Sequence, residues 1–169
     1  MKANAVVIPM VPEIAVKRIL YATDFSEASL AALPLVANIA RRYKSRVFVV
    51  NVCTRVAYTM VSPEAAGVLQ HKDEREVQAK ARQLLNTKEL AGLSVTAIVK
   101  SGSAVHELRR LVHEKNIDLA ILGFHGRTGL KHLLMGSVAE ELFRNLPCPV
   151  VTVGPNVSRD VSRACDGGN

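Results

Sequence analysis

Short apolar runs alternate with amphipathic segments along most of this chain. Five of the runs are predicted to be strands: Arg18–Ala22, Arg46–Val52, Leu93–Lys100, Ile117–Gly123 and Pro149–Val153. The second of them, RVFVVNV, is an unbroken and largely β-branched run, which is typical of a strand that is buried on both faces of a parallel sheet.

The segments between these strands have helical patterns. After the first strand, apolar residues recur on one helical face: Leu30, Leu33, Val36, Ala37 and Ile39 or Ala40. Pro34 interrupts this pattern and is predicted to kink or weaken the helix. Ser62-Pro63 begins a long charged helix and Ser103 begins another. Ser137–Glu140 has the capping-box pattern of a helix that ends near Asn145.

The alternation of strands and helices predicts a doubly wound α/β fold. We expect a five-stranded parallel sheet sandwiched by helices, of the flavodoxin or Rossmann type. No internal repeat or linker divides the 169 residues. The chain is therefore expected to form one domain over residues 16–154, with an N-terminal arm over 1–15 and a flexible C-terminal tail over 155–169.

The charge balance of the chain is basic. A formal net charge of +7 suits an anionic ligand, nucleic acid or an acidic membrane surface, but a charge that serves only solubility explains it equally well. No run of five or more like charges occurs, and aromatic residues make up only 4% of the chain. We therefore do not expect a nucleic-acid partner.

Cysteine spacing and the N-terminus indicate the compartment. Cys53, Cys148 and Cys165 have no paired spacing, which favours reduced thiols and argues against a zinc site. The apolar N-terminal stretch is broken by prolines and lacks a small-residue cleavage site, and no run is as long as a membrane helix requires. A cytoplasmic protein without a membrane partner is expected.

Two of the predicted strand ends are expected to face one crevice. In open parallel sheets, ligands bind beyond the carboxyl ends of the strands, where the strand order reverses. The common order of five such strands places the first and fourth side by side at that point. Their ends are Ala22-Thr23-Asp24 and the segment GFHGRTGLKHLLMGS, Gly123–Ser137.

The chemistry of these two ends fits a nucleotide. Glycines let backbone N–H groups approach phosphate oxygens, and the helix that begins at Ser137 directs its positive end to the same place. Arg127 and Lys131 add positive charge. Asp24 is placed to accept hydrogen bonds from ribose hydroxyls or to face the phosphates through Mg²⁺. Alternatively, Ser137 and Asp24 serve only as helix caps.

Other nucleotide-binding motifs are absent from the sequence. There is no GxxxxGK[ST] loop, and TDFSEAS follows the first strand where a GxGxxG motif would stand. No Ser-His-Asp or Cys-His set has a recognisable context for nucleophilic catalysis.

The chain resembles the universal stress protein family over about residues 16–154. KRILYATDFSEAS is similar to the family's first strand and turn, and GFHGRTGLKHLLMGSVAEELFRNLPCPVVTV to its most diagnostic segment. In the nucleotide-binding branch that segment has Gly, two residues, Gly, nine residues, then Gly-Ser or Gly-Thr. Here these positions are Gly123, Gly126, Gly136 and Ser137. Ala22 departs mildly from the Pro or Val that is common in the family.

The resemblance implies a set of ligand contacts. Asp24 would meet the ribose or phosphates of ATP or another adenine nucleotide, Ala22 and Thr23 would flank the adenine, and Val52 would contact the base. The residues implied to hold ribose and phosphates are Gly123, Gly126, Gly136, Ser137 and Val138. Family members commonly dimerise through the last strand, which predicts a homodimer through residues 150–153.

Three functions remain open at this point. The first is an ATP-binding stress or regulatory protein whose nucleotide controls an interaction. The second is a dimeric interaction module that works without a nucleotide, and the third is a slow ATPase. No catalytic base or arginine finger can be assigned from the sequence, so we expect at most weak hydrolysis.

Overall fold

The computed structural model describes residues 15–53, 62–123 and 137–154, and for residues 63–73 and 137–139 it describes the backbone only. The five strands are β1 (Arg18–Ala22), β2 (Arg46–Cys53), β3 (Ser94–Ser101), β4 (Leu119–Gly123) and β5 (Val150–Val153). The helices are α1 (Glu27–Leu30), α2 (Leu33–Tyr43), α3 (Pro63–Leu85), α4 (Ala104–Lys115) and α5 (Ser137–Asn145), with a 3₁₀ turn at Lys88–Leu90. The predicted arm, apart from Ala15, and the predicted tail lie outside the described residues.

All five strands form one parallel sheet in the order β3-β2-β1-β4-β5. The predicted α/β fold is confirmed, and so is the expected pairing of the first and fourth strands. Leu20 of β1 lies between Phe48 of β2 and Ala120 of β4. The strand order reverses between β1 and β4, so the crevice expected at a reversal lies at the centre of the sheet.

Two apolar layers cover the sheet, one on each face. Ile19 and Tyr21 of β1 pack in the layer that contains Val36 of α2 and Leu84 of α3. Leu20 packs in the opposite layer, with Leu108 of α4 and Leu142 of α5. Successive strand residues point to opposite faces, and both faces are covered, which is why β1 and β2 carry no polar alternation.

Pro34 divides the predicted first helix into two. Helix α1 ends at Leu30, and α2 begins at Leu33 with Pro34 in its first turn. Proline is tolerated there because the first amide groups of a helix have no acceptor within it. The helical hydrogen bonding is interrupted here, although Ala31 and Ala32 between the two helices keep right-handed helical dihedral angles. The apolar face still packs inward, since Leu33, Val36, Ala37 and Ala40 are buried.

The fourth strand begins two residues later than the sequence predicts. The amides of Asn116 and Ile117 donate to carbonyl groups in the last turn of α4, with Asn116 in the left-handed conformation. Ile117 therefore belongs to the end of that helix rather than to the strand. The following side chain, Asp118, accepts hydrogen bonds from the amides of Lys17 and Arg18, each at 2.8 Å, and fixes the start of β1.

In the described parts of the chain, no helix has both the length and the apolarity that crossing a bilayer requires.

Tyr21 supplies a polar contact inside the core. Its side chain is fully buried, and its hydroxyl donates to the carbonyl of Ser29 at 2.7 Å. Burial raises the pKa of the phenol to about 12, from its ordinary value of 10.0, because the phenolate would lose its hydration. The phenol of Tyr21 is therefore neutral in the folded state.

This raised pKa predicts a loss of stability at alkaline pH. Between pH 10 and 12 the unfolded chain releases the phenolic proton and the folded chain keeps it, so the free energy of unfolding should fall by about 2–3 kcal/mol. Tyr21→Phe should cost about 1 kcal/mol at pH 7 through the lost hydrogen bond and should flatten the fall between pH 10 and 12. Urea unfolding of both proteins across this range measures the difference. If the free energy of unfolding falls equally with pH in both proteins, Tyr21 is not the group that causes the loss of stability.

Candidate functional site

A pocket of about 200 Å³ opens at the carboxyl end of the sheet, over the junction of β1, β2 and β4. The residues that line it are Ala22, Thr23, Asp24, Val50, Asn51, Val52, Ala104, Leu108, Leu122, Gly123 and Leu142. Five of the predicted site residues are among them: Ala22, Thr23, Asp24, Val52 and Gly123. The structure thus brings the two predicted strand ends together with the end of β2.

The pocket has an apolar wall and a polar rim. Ala22, Val52 and Leu122 belong to the strands, and Leu108 and Leu142 reach it from α4 and α5. Asp24 is the only ionisable side chain among the residues that line the pocket, and it is exposed. A flat apolar group fits the inner wall, and a group with hydroxyls fits the rim beside the carboxylate.

The turn that follows β1 is held by a buried hydroxyl pair. Thr23 Oγ1 lies 2.8 Å from Ser29 Oγ and accepts a hydrogen bond from the amide of Phe25 at 3.0 Å. Phe25 adopts a φ of 61°, a left-handed conformation that costs a non-glycine residue on the order of 1–3 kcal/mol. This turn, rather than a ligand, explains why position 23 carries a hydroxyl.

Asp24 takes part in the cap of α1. Its Oδ1 accepts from the amide of Ser26 at 3.0 Å and from the Ser26 hydroxyl. Ser26 Oγ in turn accepts from the amide of Ser29 at the start of α1. The capping alternative for Asp24 is therefore observed, and because the same residue lines the pocket, capping fixes the carboxylate at the rim.

Asn51 is a pocket residue that the sequence analysis missed. It interrupts the aliphatic run of β2, is buried, and donates from Nδ2 to the carbonyl of Thr23 at 2.8 Å. The amide of Thr23 donates to the carbonyl of Val50, so the Asn51 side chain continues the β1–β2 ladder where the main chains diverge. A lone amide inside a buried strand was the available indication, since buried polar groups require partners.

Gly123 is a glycine because α1 crosses directly over it. A Cβ built on Gly123 would lie 2.3 Å from the Cα of Ser29 and 2.6 Å from its carbonyl oxygen, both backbone atoms that cannot turn aside. The residue lines the pocket, but the helix alone requires it to lack a side chain. The predicted role of Gly123 toward ribose or phosphate is therefore not needed to explain the residue.

The rest of the predicted set lies in or next to a gap in the description. Gly126, Arg127 and Gly136 lie outside the described residues. Ser137 and Val138 form the first turn of α5, with their side chains outside the description. Because α5 leads from β4 back to the start of β5, its N-terminus lies at the carboxyl edge of the sheet, as predicted.

A second helix also begins at this pocket. Ala104, the first residue of α4, lines it, and the preceding Ser103 is the N-cap. The positive ends of both helix dipoles therefore point to the carboxyl edge, which favours an anionic ligand there.

The side chains near the pocket indicate whether the protein alone could hold the expected Mg²⁺. Among the residues that the structure describes, no group of three or more His, Cys, Asp or Glu side chains could hold a metal ion. Mg²⁺ is commonly bound by one or two carboxylates together with substrate phosphates and waters. Asp24 fits that pattern as the protein's contribution, so any Mg²⁺ here would arrive with a nucleotide.

Comparison with known proteins was made by sequence and by structure. The model of the universal stress protein family matches residues 15–154. The universal stress protein MJ0531 of Methanocaldococcus jannaschii is 28% identical over 138 residues, which cover 81% of each chain. MJ0577 of the same organism is 28% identical over 152 residues, with 81% of this chain and 94% of MJ0577 covered.

Solved structures with similar folds belong to the same family. The MJ0577 structure superposes with a TM-score of 0.71 at 31% identity and covers 83% of this chain and 96% of its own. UspA of Lactobacillus plantarum superposes with a TM-score of 0.66 at 26% identity, covering 82% and 97%. A universal stress protein in complex with cAMP has a TM-score of 0.62 at 21% identity, covering 83% and 98%, a likeness in fold alone.

Replacement of Asn51 should weaken the fold through the exit of β1. Asn51→Leu removes the donor and leaves the Thr23 carbonyl buried, so we expect a loss of about 1–3 kcal/mol in the free energy of unfolding. Urea unfolding measures it. Cys53→Ala removes a contact to the other side of the same amide, Asn51 Oδ1, and should cost less. Equal losses of unfolding free energy in both variants would show that the Asn51–Thr23 hydrogen bond stabilises the fold no more than the Cys53–Asn51 contact does.

Proposed function

The chain belongs to the universal stress protein family, and on that premise we propose that its carboxyl-edge pocket binds an adenine nucleotide, ATP in particular. One observation carries the proposal. Three distant parts of the sequence, represented by Ala22 and Asp24, by Val52 and by Gly123, line one pocket at the point where the strand order reverses. Pockets at this point are the usual ligand sites of doubly wound folds.

The adenine, ribose and phosphates of a nucleotide can each be matched to a part of this site. The apolar inner surface formed by Ala22, Val52 and Leu122 suits the adenine ring. The exposed carboxylate of Asp24 suits ribose hydroxyls, which are hydrogen-bond donors. At about 200 Å³ the described pocket is smaller than the roughly 300–1,000 Å³ of typical ligand sites. The phosphates are therefore assigned to the glycine segment between Gly126 and Ser137 and to the N-terminus of α5.

Two neighbours in fold support an adenine ligand. One structure is a universal stress protein in complex with cAMP, and another is a family member from Arabidopsis thaliana with AMP bound. The two are 21% and 17% identical to this chain, so they support only that the fold accommodates adenine nucleotides. The proposal of ATP rests on this chain's own glycine segment, whose spacing Gly123, Gly126, Gly136 and Ser137 resembles that of the family's nucleotide-binding branch.

We favour a regulatory role over catalysis. Asp24, the one ionisable side chain lining the described pocket, is held in the cap of α1 and is better placed to bind ribose or Mg²⁺ than to activate water. Hydrolysis is therefore proposed to lie far below the usual enzyme range of about 1–1,000 per second. The bound nucleotide would instead select between states of a cytoplasmic protein that bind a partner differently. An interaction module that needs no nucleotide is the competing function.

Calorimetric titration of ATP tests the site. Gly136→Val should lower affinity roughly 5- to 150-fold, because a side chain in a phosphate loop forces a conformation that costs about 1–3 kcal/mol. Asp24→Asn should weaken binding if the carboxylate accepts ribose hydroxyls. Glu27→Gln is the matched control, since Glu27 is an exposed acid one turn away that does not line the pocket. Circular dichroism checks folding. A folded Gly136→Val that binds ATP like the parent would refute the phosphate assignment.

We also propose a homodimer through β5. This strand is an edge of the sheet, and its residues are only partly buried apart from Val153. The amide of Ala120 donates to the carbonyl of Pro149, so the parallel register turns the amide of Val151 toward β4 and that of Thr152 outward. An exposed row of amides on an apolar edge invites pairing with a second copy.

Thr152→Pro should therefore dissociate the dimer without breaking the sheet. Proline at this position removes an outward donor and leaves the β4–β5 ladder intact. Sedimentation at tens of micromolar should show a dimer for the parent and a monomer for the variant. A parent that sediments as a monomer, or a variant that remains dimeric, would exclude this interface.

A further inference from the structure

Basic side chains gather at the amino edge of the sheet, opposite the proposed nucleotide pocket. We call this the amino-edge surface, and its members are Lys17, Arg18, Arg41, Arg42, Lys44, Arg46, Lys88 and Lys115. They come from the starts of β1 and β2, the ends of α2 and α4, and the 3₁₀ turn. All these places share one edge because the strands are parallel and the helices run against them.

Helix dipoles account for only part of this surface. Cations are favoured at helix C-termini, which explains Arg41 at the end of α2 and Lys115 at the end of α4. Arg18 also donates to the last carbonyls of α4. Neither Lys17 nor Arg46 lies in a helix. Among the described residues, the acids at the same edge are Glu89, Glu114 and Asp118. The carboxylate of Asp118 accepts hydrogen bonds from the amides of Lys17 and Arg18.

An exposed aromatic ring stands within this surface. Tyr43 ends α2 between Arg42 and Lys44 and is 43% exposed, one of two large hydrophobic side chains recorded as exposed in the described chain. The same end of α2 borders a groove of about 310 Å³, lined by Ala40, Arg41, Lys44, Ser45, Gly92, Leu93 and Ser94. The end of this helix therefore offers an exposed aromatic ring and a basic groove, the two elements that bind single-stranded nucleic acid.

We propose that the amino-edge surface binds single-stranded nucleic acid, with phosphates along the Arg41–Lys44 groove and a base stacked on Tyr43. The low aromatic content of the whole chain argued against such a partner, but the fold places one of its few aromatic rings among the cations. An acidic peptide would use the same charges, but it carries no base to stack on Tyr43. The exposed ring therefore favours nucleic acid.

The surface is separate from the proposed ATP pocket. β1 has five residues, so the Cα atoms at its two ends are about 13 Å apart at roughly 3.3 Å per residue. An oligonucleotide at the amino edge and a nucleotide at the carboxyl edge should bind at the same time. A probe without adenine keeps the two sites distinguishable, and a failure of ATP binding would leave this proposal intact.

The test is fluorescence anisotropy of a labelled 12-nucleotide oligouridine, titrated with the full chain in low salt. Tyr43→Ala should weaken binding roughly 5- to 150-fold, because stacking contributes about 1–3 kcal/mol per base. The matched control is Phe143→Ala, which removes the other exposed ring, 57% exposed, from α5. It should bind like the parent. Circular dichroism confirms that both variants are folded.

Salt dependence tests the phosphate contacts separately. For single strands the slope of log K against log salt is about −0.7 per phosphate contact, so Arg41→Gln and Lys44→Gln should each flatten the slope by about 0.7. Tyr43→Ala should leave the slope unchanged. Lys80→Gln, which removes a cation of α3 that pairs with Glu76, should alter neither the slope nor the affinity.

Four outcomes would overturn the proposal. They are no rise in anisotropy at tens of micromolar protein, equal losses in Tyr43→Ala and Phe143→Ala, displacement of oligouridine by excess uncharged adenosine, and equally tight binding of polyglutamate. The third would place the strand in the nucleotide pocket, and the fourth would identify an acidic peptide or plain charge attraction as the basis of binding. Loss of affinity in Tyr43→Ala alone, with the expected slopes, would support it.

Discussion

Burial of β1 on both faces at the centre of the sheet is the constraint on which the rest of this structure depends. Ile19, Leu20 and Tyr21 are fully buried, because β2 and β4 flank the strand and helices cover it above and below. A strand in that position can carry polar chemistry only at its ends. Asp118 organises its amino end, and the turn from Thr23 to Ser26 organises its carboxyl end.

The carboxyl end shows how the fold converts this constraint into a pocket. The main chains of β1 and β2 diverge after Thr23, and an unpaired carbonyl would be buried at that point. Asn51 supplies the missing donor. The chain then turns through Phe25 in a left-handed conformation, which Thr23 and Ser29 stabilise from within the core. The result is a fixed carboxylate at the rim of an apolar recess.

Much of this architecture could be predicted from the sequence. Uninterrupted apolar runs such as RVFVVNV specify buried parallel strands, so all five strands follow from local patterns, and their central pairing follows from the common strand order of such folds. The weakening predicted at Pro34 corresponds to the interruption between α1 and α2. Such features are predictable because they depend on neighbours within a few residues.

The missed features depend on contacts between distant segments. Asn51 acquires its role from Thr23, which is 28 residues away. The need for glycine at position 123 comes from the path of α1 across β4, and no pattern around Gly123 contains it. The exposure of Tyr43 at an edge that gathers cations from five elements is likewise a product of topology. Ligand roles at Gly126, Arg127 and Gly136 lie outside the described residues and remain predictions.

The contact between Gly123 and Ser29 has a mechanical consequence. Backbone touches backbone there with no side chain between to absorb a displacement, so the end of β4 and helix α1 must move together. Ser29 is in turn joined to Tyr21 and Thr23 through its carbonyl and hydroxyl. A displacement of Gly123 would therefore displace α1 as well. The outer surface of that helix would then change position when the backbone at the edge of the pocket moves.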